Sequence, residues 1–270
     1  MGRRRIGTAM SCWPATVTAD PVNPQLFRVL HLASPALPIG AFHFSQALEY
    51  AVEAGWVRDE STALEWIAGL AENALGTLDL PILARLHAAW SNENLAEVRR
   101  WNAFLIAARE TEELRAEDRH TGSALQKILT ELGVVDPASH IPVGWAMTER
   151  EWRANTSKPN IPGEPATKSP DRCGYAAMFA LACARWSVPA AETLQAYAWA
   201  WSENQVLAAI KLVPLGQTAG QRMLHALIPR LAAISASALC LDDNDLGVCA
   251  VMHGMASARH ESQYTRLFRS

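Results

Sequence analysis

One stretch decides the fold, and from Trp199 to Arg222 it reads Trp-Ala-Trp-Ser-Glu-Asn-Gln-Val-Leu-Ala-Ala-Ile-Lys-Leu-Val-Pro-Leu-Gly-Gln-Thr-Ala-Gly-Gln-Arg. Up to Val213 the pattern predicts a helix, because apolar residues recur at steps of three and four, the spacing of one buried helical face. Pro214 should end or kink this helix, since proline lacks an N–H group and restricts the residue before it. Gly216 and Gly220 follow, and their spacing predicts the close approach of a second backbone.

Polar residues interrupt the apolar face of this helix and of the segment after it. A buried polar group needs a hydrogen bond or water. Two interpretations stay open: an internal network that pins two core helices, or the polar wall of a cavity, channel or partner site. The residues of this predicted internal network or passage are Glu203, Asn204, Gln205, Lys211, Gln217, Gln221 and Arg222.

Length and composition narrow the class of protein. The chain has 270 residues, 50% of them hydrophobic, which is enough for one large or two ordinary domains with a sizeable core. A net charge of −3 gives no argument for nucleic acid or an acidic membrane surface. Every apolar run of about 18 residues is interrupted by charged or polar residues, which argues against a membrane span. The 5 cysteines form no Cys-x-x-Cys pair, and this fits a reducing cytoplasm.

Helical periodicity covers most of the chain, and no segment of any length alternates as a strand does. We expect an all-α fold in a single domain, residues 25–259, as a helical bundle of about eight to ten helices. The predicted helices cover 25–33, 41–53, 62–78, 79–90, 93–132, 174–186, 189–213, 218–239 and 242–259.

Three segments fall outside this helical pattern. Residues 1–24 predict a disordered N-terminal extension, and residues 134–172 predict a proline-rich loop. Residues 260–270 form a flexible C-terminal tail with too little apolar content to fold alone, and we expect it to bind a partner.

Local signals predict two helix starts. Thr62 and Glu65 have the spacing of a capping box, and Asp79 before Pro81 has the pattern of a new helix start.

A densely charged stretch lies in the middle of the long predicted helix, from Arg109 to His120. It predicts a solvated face that carries favourable pairs such as Glu112 with Arg115.

Signatures of catalysis and metal binding are absent from the sequence. It has no glycine-rich phosphate loop, no Gly-x-Ser-x-Gly and no His-Glu-x-x-His motif. The 8 histidines are dispersed, and no two have the i,i+4 spacing of a simple helical metal site. We therefore predict no catalytic residue and no metal site of the chain's own, and the composition weakly favours a scaffold over an enzyme.

Three blocks carry a family resemblance. The first is Leu-Ala-Ser-Pro-Ala-Leu-Pro-Ile-Gly-Ala-Phe at 32–42 with Ser-Gln-Ala-Leu-Glu at 45–49. The second has Glu-Asn-Gln at 203–205, Ala-Ala-Ile-Lys at 208–211, Val-Pro-Leu-Gly-Gln at 213–217 and Gly-Gln-Arg at 220–222. The third is Glu-Ser-Gln-Tyr-Thr-Arg-Leu-Phe-Arg-Ser at 261–270. In this order they resemble the urease accessory protein F family, over residues 25–270.

The resemblance implies an all-α, homodimeric, cytoplasmic and non-enzymatic factor of nickel-urease maturation. Such a protein binds urease accessory protein D (H in some organisms) and recruits the GTPase G. The assembly then delivers nickel to apo-urease, so the chain has no cofactor of its own. The family usually has glycine where Ala47 stands and commonly Ser-Tyr where His43 and Phe44 stand, changes that are tolerable on a predicted helix.

The resemblance also assigns roles to individual residues. Glu49 resembles an acidic position that faces the GTPase, His260 and Arg266 match partner-binding positions, and Lys211 matches a lysine near an internal passage. The full predicted partner-binding set is Ser45, Gln46, Glu49, His260, Tyr264, Arg266, Leu267, Phe268 and Arg269.

Two other functions remain as alternatives. The chain would be a direct activator of the partner GTPase if it supplied an arginine such as Arg222 or Arg266 in trans. It would be an all-α metal or cofactor enzyme if the scattered histidines came together.

Overall fold

The protein is described by a computed structural model, which covers residues 23–135, 173–247 and 250–269. Within these ranges the chain forms nine helices and no strand, so the predicted all-α fold is confirmed. The predicted extension 1–24 and loop 134–172 lie almost wholly outside the described residues. The helices are α1 (Pro24–Leu32), α2 (Leu48–Glu53), α3 (Glu60–Ser91), α4 (Leu95–Ala108), α5 (Glu112–Glu131), α6 (Tyr175–Arg185), α7 (Ala190–Leu212), α8 (Gln217–Ala238) and α9 (Val251–His260).

Helix α6 forms the centre of the bundle. All its residues from Ala176 to Cys183 are buried, as expected for a helix that is hydrophobic on every side. The second half of α3, together with α5 and α7, packs around it. The ring of Phe179 meets that of Tyr197 on α7 edge to face, with centroids 5.2 Å apart. The remaining helices pack on the outside of this group.

Helices α7 and α8 pack closely against each other across the short turn that joins them. Helix α7 ends at Leu212, directly before the turn that contains Pro214. A Cβ atom on Gly220 would lie only 2.4 Å from Cδ1 of Ile210, so α7 packs closely against this glycine, but through side-chain atoms and not through the second backbone that the spacing predicts. The same prediction is wrong for Gly216, which has open space around it and instead caps the start of α8.

Helix α3 is one continuous helix, and the helix start predicted at Asp79 is wrong. Its first turn begins at Asp59, whose side chain accepts the N–H of Thr62 at 2.8 Å while the Thr62 hydroxyl accepts the N–H of Asp59 at 3.1 Å. The capping box therefore pairs Asp59 with Thr62 and not Thr62 with Glu65. The middle of the helix, Ala71–Asp79, is π-helical, with hydrogen bonds between residues five apart instead of four.

Pro81 does not end the helix, because the carbonyl that it leaves without a donor in the helix has a partner elsewhere. Proline has no N–H to donate to the carbonyl four residues earlier, which is that of Thr77. The N–H of Gly247 donates to the Thr77 carbonyl instead, at 3.2 Å. The N–H of Leu80 donates to the carbonyl of Leu75, as π-helical geometry requires. The carbonyl freed by Pro81 is therefore satisfied from another part of the chain.

The long helix predicted over 93–132 is interrupted. It divides into α4 and α5 at Arg109, whose backbone is extended, with φ −67° and ψ 119°. Thr111 then begins α5 by accepting the N–H of Leu114 on its hydroxyl.

Two other predicted helices are shorter than expected. The segment 242–259 holds only a 3₁₀ turn (Asp243–Asp245) before α9. The segment 41–53 is helical in the 3₁₀ turn Ala41–His43 and in α2. Between them Gln46 and Ala47 adopt left-handed backbones, with φ 48° and 65°. Ala47 therefore does not lie on a helix, and a glycine at this position would suit its backbone better.

By length and composition alone, α3 is apolar enough to cross a membrane, but 67% of its most apolar window is buried inside the protein. Its apolar side chains therefore have partners within the fold, and we assign α3 as a core helix.

Gly122 of α5 provides a test of this packing. A Cβ atom there would lie 2.3 Å from the carbonyl oxygen of Cys173 and 2.9 Å from the backbone nitrogen of Tyr175, which side-chain rotation cannot relieve. We expect Gly122→Ala to lower the free energy of unfolding by at least about 2 kcal/mol. Gly69→Ala is the matched control, because Gly69 lies inside α3 with nothing within 4 Å, and alanine should stabilise that helix by about 0.5–1 kcal/mol. Urea unfolding of both variants checks the prediction, and a loss of equal size in both would contradict it.

Candidate functional site

The carboxylate of Glu49 on α2 holds the C-terminal tail. The N–H of Leu267 donates to Oε1 at 2.6 Å, and the N–H of Phe268 donates to Oε2 at 2.8 Å. The N–H of Arg269 donates to the carbonyl of His43 at 2.8 Å. These bonds fix the register of the tail, so Phe268 is 6% exposed while Leu267 is 69% exposed.

The described tail is therefore bound to the bundle, whereas the sequence predicts it to be flexible. The sequence does not reveal this contact because the two partners lie far apart along the chain. The tail has too few apolar residues for a core of its own, but its partner Glu49 precedes Leu267 by 218 positions. Phe268 also joins the main core cluster. Removing the tail should consequently lower stability, contrary to what its composition alone indicates.

A second carboxylate, that of Glu113 on α5, completes the contact surface of the tail. Its Oε1 lies 2.5 Å from Nη1 of Arg266, and its Oε2 lies 2.7 Å from Nδ1 of His260. The other ring nitrogen of His260, Nε2, lies 3.3 Å from Oε2 of Glu49. His260 therefore bridges the two carboxylates that hold the tail.

The predicted partner-binding residues divide into two groups. Tyr264, Arg266, Leu267 and Arg269 are exposed. The remaining members are buried or partly buried in the protein, and they are Ser45, Gln46, Glu49, His260 and Phe268.

Gln46 is also engaged internally. Its side chain donates to Oε1 of Glu117 at 2.9 Å and accepts the indole N–H of Trp201 at 2.8 Å. It links α5 to α7 across the loop before α2.

The predicted internal polar set is not a single network. Gln217, Gln221 and Arg222 are exposed, and Arg222 forms a surface ion pair with Glu60 at 2.5 Å. Lys211 is exposed as well, because it lies at the last turn of α7. Its ammonium group lies 5.8 Å from the ring of Phe42 and 5.7 Å from the ring of Phe268, within the range of cation–π contacts.

Three members of the set do lie inside or partly inside the protein. Asn204 donates to the carbonyl of Phe44 at 3.2 Å. Burial raises the pKa of Glu203. Gln205 is fully buried, and neither atom of its amide has a hydrogen-bond partner among the described residues.

A different polar group occupies the interior. Arg109, at the break between α4 and α5, forms a double contact with Asp79 at the end of the π-helical segment, at 2.5 and 3.2 Å. Asp118 on α5 accepts the N–H of Tyr175 at 3.0 Å and so caps α6 from outside. These residues and His253 of α9 line a cavity of about 210 Å³.

The charges of this interior group shift one another's pKa values. Burial lowers the pKa of Arg109, but the charges of Asp79 and Asp118 outweigh burial and raise it above its usual range. Burial raises the pKa of Asp118, against the opposing effect of Arg109. Burial, and then the charge of Arg109, lower the pKa of His253 to about 4. His253 is therefore neutral at physiological pH.

Sequence reasoning missed this interior group. It treated the stretch 109–120 as a solvated face, which is correct for the exposed pair of Glu112 with Arg115 at 2.9 Å. The prediction is wrong for Arg109, Glu117 and Asp118, which are largely buried. One signal in the sequence does indicate the break. Thr111 followed by two glutamates is the pattern of a helix start.

Within the part of the chain that the structure describes, the histidines and carboxylates do not gather as a metal site would require. In the described ranges, no group of three or more His, Cys, Asp or Glu side chains is placed to hold a metal ion. Whether the whole chain lacks a cofactor of its own stays a prediction.

Comparison with known proteins agrees with the resemblance. The sequence model of the UreF family matches residues 57–228. The chain is 42% identical over 250 residues to the urease accessory protein UreF of Alkalilimnicola ehrlichii, covering 92% of this chain and 98% of that protein. It is 42% identical over 252 residues to UreF of Teredinibacter turnerae, covering 92% and 100%. It is 43% identical over 245 residues to UreF of Azoarcus, covering 91% and 95%.

These relatives share one class, that of the urease accessory proteins. The chain belongs to the UreF family within that class. The resemblance stated from three sequence blocks is thereby confirmed.

Replacing Arg109 tests the interior ion pair. We expect Arg109→Met to lower the free energy of unfolding by about 3–5 kcal/mol, because it leaves the carboxylate of Asp79 buried without its partner. Arg222→Met removes an ion pair of the same type from the surface and should leave the melting curve almost unchanged. Thermal unfolding of both variants provides the comparison. Equal shifts in melting temperature would show that burial does not distinguish the two pairs.

The lowered pKa of His253 predicts a specific dependence of stability on pH. Between about 6.5, its ordinary pKa, and about 4, the unfolded chain binds a proton at this residue and the folded chain does not. Stability should therefore fall as pH falls through this window, by up to about 1.4 kcal/mol per pH unit from this residue alone. His253→Gln should flatten the slope by that amount, whereas His225→Gln, at an exposed position on α8, should not. Urea unfolding at several pH values measures both slopes, and identical slopes would rule out the assignment.

Proposed function

We propose that this chain is a cytoplasmic, homodimeric scaffold of urease maturation. It binds accessory protein D (H in some organisms) and recruits the GTPase G, and the complete assembly delivers nickel to apo-urease. The chain itself performs no catalysis, and nickel is the cargo of the assembly. Membership of the UreF family supports the general role, and the surface formed by α9 and the tail supports the partner-binding step.

The observation that carries the proposal is the exposed apolar surface of the last described segment. Isolated exposed apolar side chains are ordinary, but a concentration of them within one short segment indicates a surface for another protein. The exposed apolar side chains of this segment, with their exposed fractions, are Val251 (70%), Met252 (48%), Met255 (54%), Tyr264 (102%) and Leu267 (69%).

The binding of the tail to α2 favours such a role. Glu49 and Glu113 fix the backbone and Arg266, so Tyr264 and Leu267 are presented from a segment that is already ordered. Ordering a segment before association lowers the entropic cost of binding. Tyrosine and methionine are also among the residues that interfaces favour, and methionine adapts to irregular partner surfaces.

A second apolar surface supports association with more than one copy or partner. Helix α1 buries only Leu32, while Leu26, Phe27 and Leu30 are 58%, 63% and 57% exposed. This surface belongs to a different helix from the tail, so one chain can bind a second copy and a different partner at the same time. Light scattering of the purified chain distinguishes monomer from dimer.

A binding experiment tests the role of the tail. We expect Tyr264→Ala and Leu267→Ala each to weaken binding of accessory protein D by about tenfold or more, since anchors of this type lose upwards of 1 kcal/mol on truncation. Their melting temperatures should match the wild type because both side chains are exposed. Ile228→Ala, at a 46% exposed position on α8, serves as the control. Calorimetry with purified protein D measures the affinities, and full-strength binding by both tail variants would refute the proposed surface.

The same reconstituted mixture separates the scaffold from a direct activator. A scaffold changes urease activation without changing the rate of GTP hydrolysis by the isolated GTPase G. If the chain stimulated hydrolysis, and Arg266→Ala removed the effect, the activator would be the better description.

A further inference from the structure

One buried imidazole joins α9 and the tail to the rest of the bundle. The side chain of His260 is fully buried, and its two nitrogens lie 2.7 Å from Glu113 and 3.3 Å from Glu49. An ionised carboxylate only accepts hydrogen bonds, and a neutral imidazole has a single N–H to donate. Both contacts can be hydrogen bonds only while the ring of His260 carries both protons.

The charge balance around the ring leads to the same condition. The charged groups in this cluster are the two carboxylates beside the ring, Glu49 and Glu113, and the guanidinium of Arg266, which pairs with Glu113. A protonated His260 brings the sum of these charges to zero, whereas a neutral ring leaves one negative charge in excess in a largely buried position. Unbalanced charge is costly to bury. Six other charged or titratable side chains of this region are exposed, and they are His43, Lys211, Arg259, Glu261, Tyr264 and Arg269. Glu117, one turn after Glu113 on α5, is buried and accepts a hydrogen bond from Gln46 at 2.9 Å.

Loss of one proton from the ring would affect the two contacts unequally. The shorter bond to Glu113 would retain the remaining proton on Nδ1. The lone pair of Nε2 would then face Oε2 of Glu49, which is the same oxygen that accepts the N–H of Phe268. Two acceptors in this position repel each other, and the group they disturb is the one that binds the tail.

We propose that His260 is a proton-sensitive latch for the C-terminal tail. While the ring carries both protons, the tail segment 266–269 stays bound to α2, and loss of one proton releases it. The inference deepens the proposed function, because the tail is the segment that we expect to bind protein D. Its test, however, uses the chain alone.

Hydrogen exchange of the tail amides, followed by mass spectrometry on the full chain, tests the latch. Protection is measured from about pH 5 to about pH 8, the range in which histidine charge ordinarily changes, and is corrected for the intrinsic exchange rate. We expect protection of peptides covering 261–270 to fall about tenfold or more across this range, while peptides from α6 stay unchanged.

Two variants should fix the tail in opposite states. His260→Gln cannot titrate and has one amide in place of two ring donors, so its tail should be open at every pH. Glu113→Gln supplies an N–H to the neutral ring at Nδ1, which leaves the proton on Nε2 for Glu49, and its carbonyl still accepts from Arg266. Its tail should stay closed at high pH. His225→Gln should behave as the wild type does.

Each outcome of the exchange experiment either supports or overturns the proposed latch. A pH-dependent tail in the wild type that is lost in both variants supports the latch. A tail equally protected at both ends of the pH range, or a Glu113→Gln tail that opens with pH as the wild type does, overturns it. Neither of these failures bears on whether protein D binds the chain, so the latch and the scaffold can be rejected separately.

Discussion

The ion pair between Arg109 and Asp79 is the constraint on which the rest of the structure depends. A buried guanidinium requires a carboxylate in direct contact, and here the two come from helices that would otherwise be free to slide. Arg109 is available only because the chain breaks between α4 and α5, and Asp79 is in place only because of the π-helical segment. The charge of Asp118 also acts on Arg109, and the same carboxylate caps the central helix α6. Two departures from regular helical structure thus converge on one charge.

Helix α9 connects this interior to the surface. His253 lies at the inner cavity and His260 lies between Glu49 and Glu113, two helical turns further on. The two histidines have opposite requirements, since the first is neutral beside Arg109 and the second needs both protons between carboxylates. One short helix therefore combines an electrically neutral anchor with a charged one, and the tail extends from the charged end. This arrangement explains how a tail without a core of its own is ordered.

The sequence predicts the helices well and their irregularities poorly. Periodicity locates α6, α7 and α8 because each helix is apolar either along one face or on every side. The π-helical segment has no such signal, since its extra residue changes hydrogen bonding without changing composition. Arg109 and Asp118 were assigned to solvent because charge density normally indicates it, and only the tertiary fold supplies Asp79 as a partner. The predicted internal position of Lys211 differs from the structure for the opposite reason. Its sequence neighbours are apolar, but a residue in the last turn of a helix can still be exposed.

The π-helical segment makes the number of residues in α3 a constraint in its own right. Deleting a single residue from Ala71–Asp79 would give a more regular helix with better hydrogen-bond geometry. It would also turn everything after it by about 100° about the helix axis, the rotation of one residue. Asp79 would then leave Arg109, and the carbonyl of Thr77 would no longer be matched to the N–H of Gly247. Insertions and deletions in this family should therefore avoid α3, even at positions where any apolar residue would be accepted.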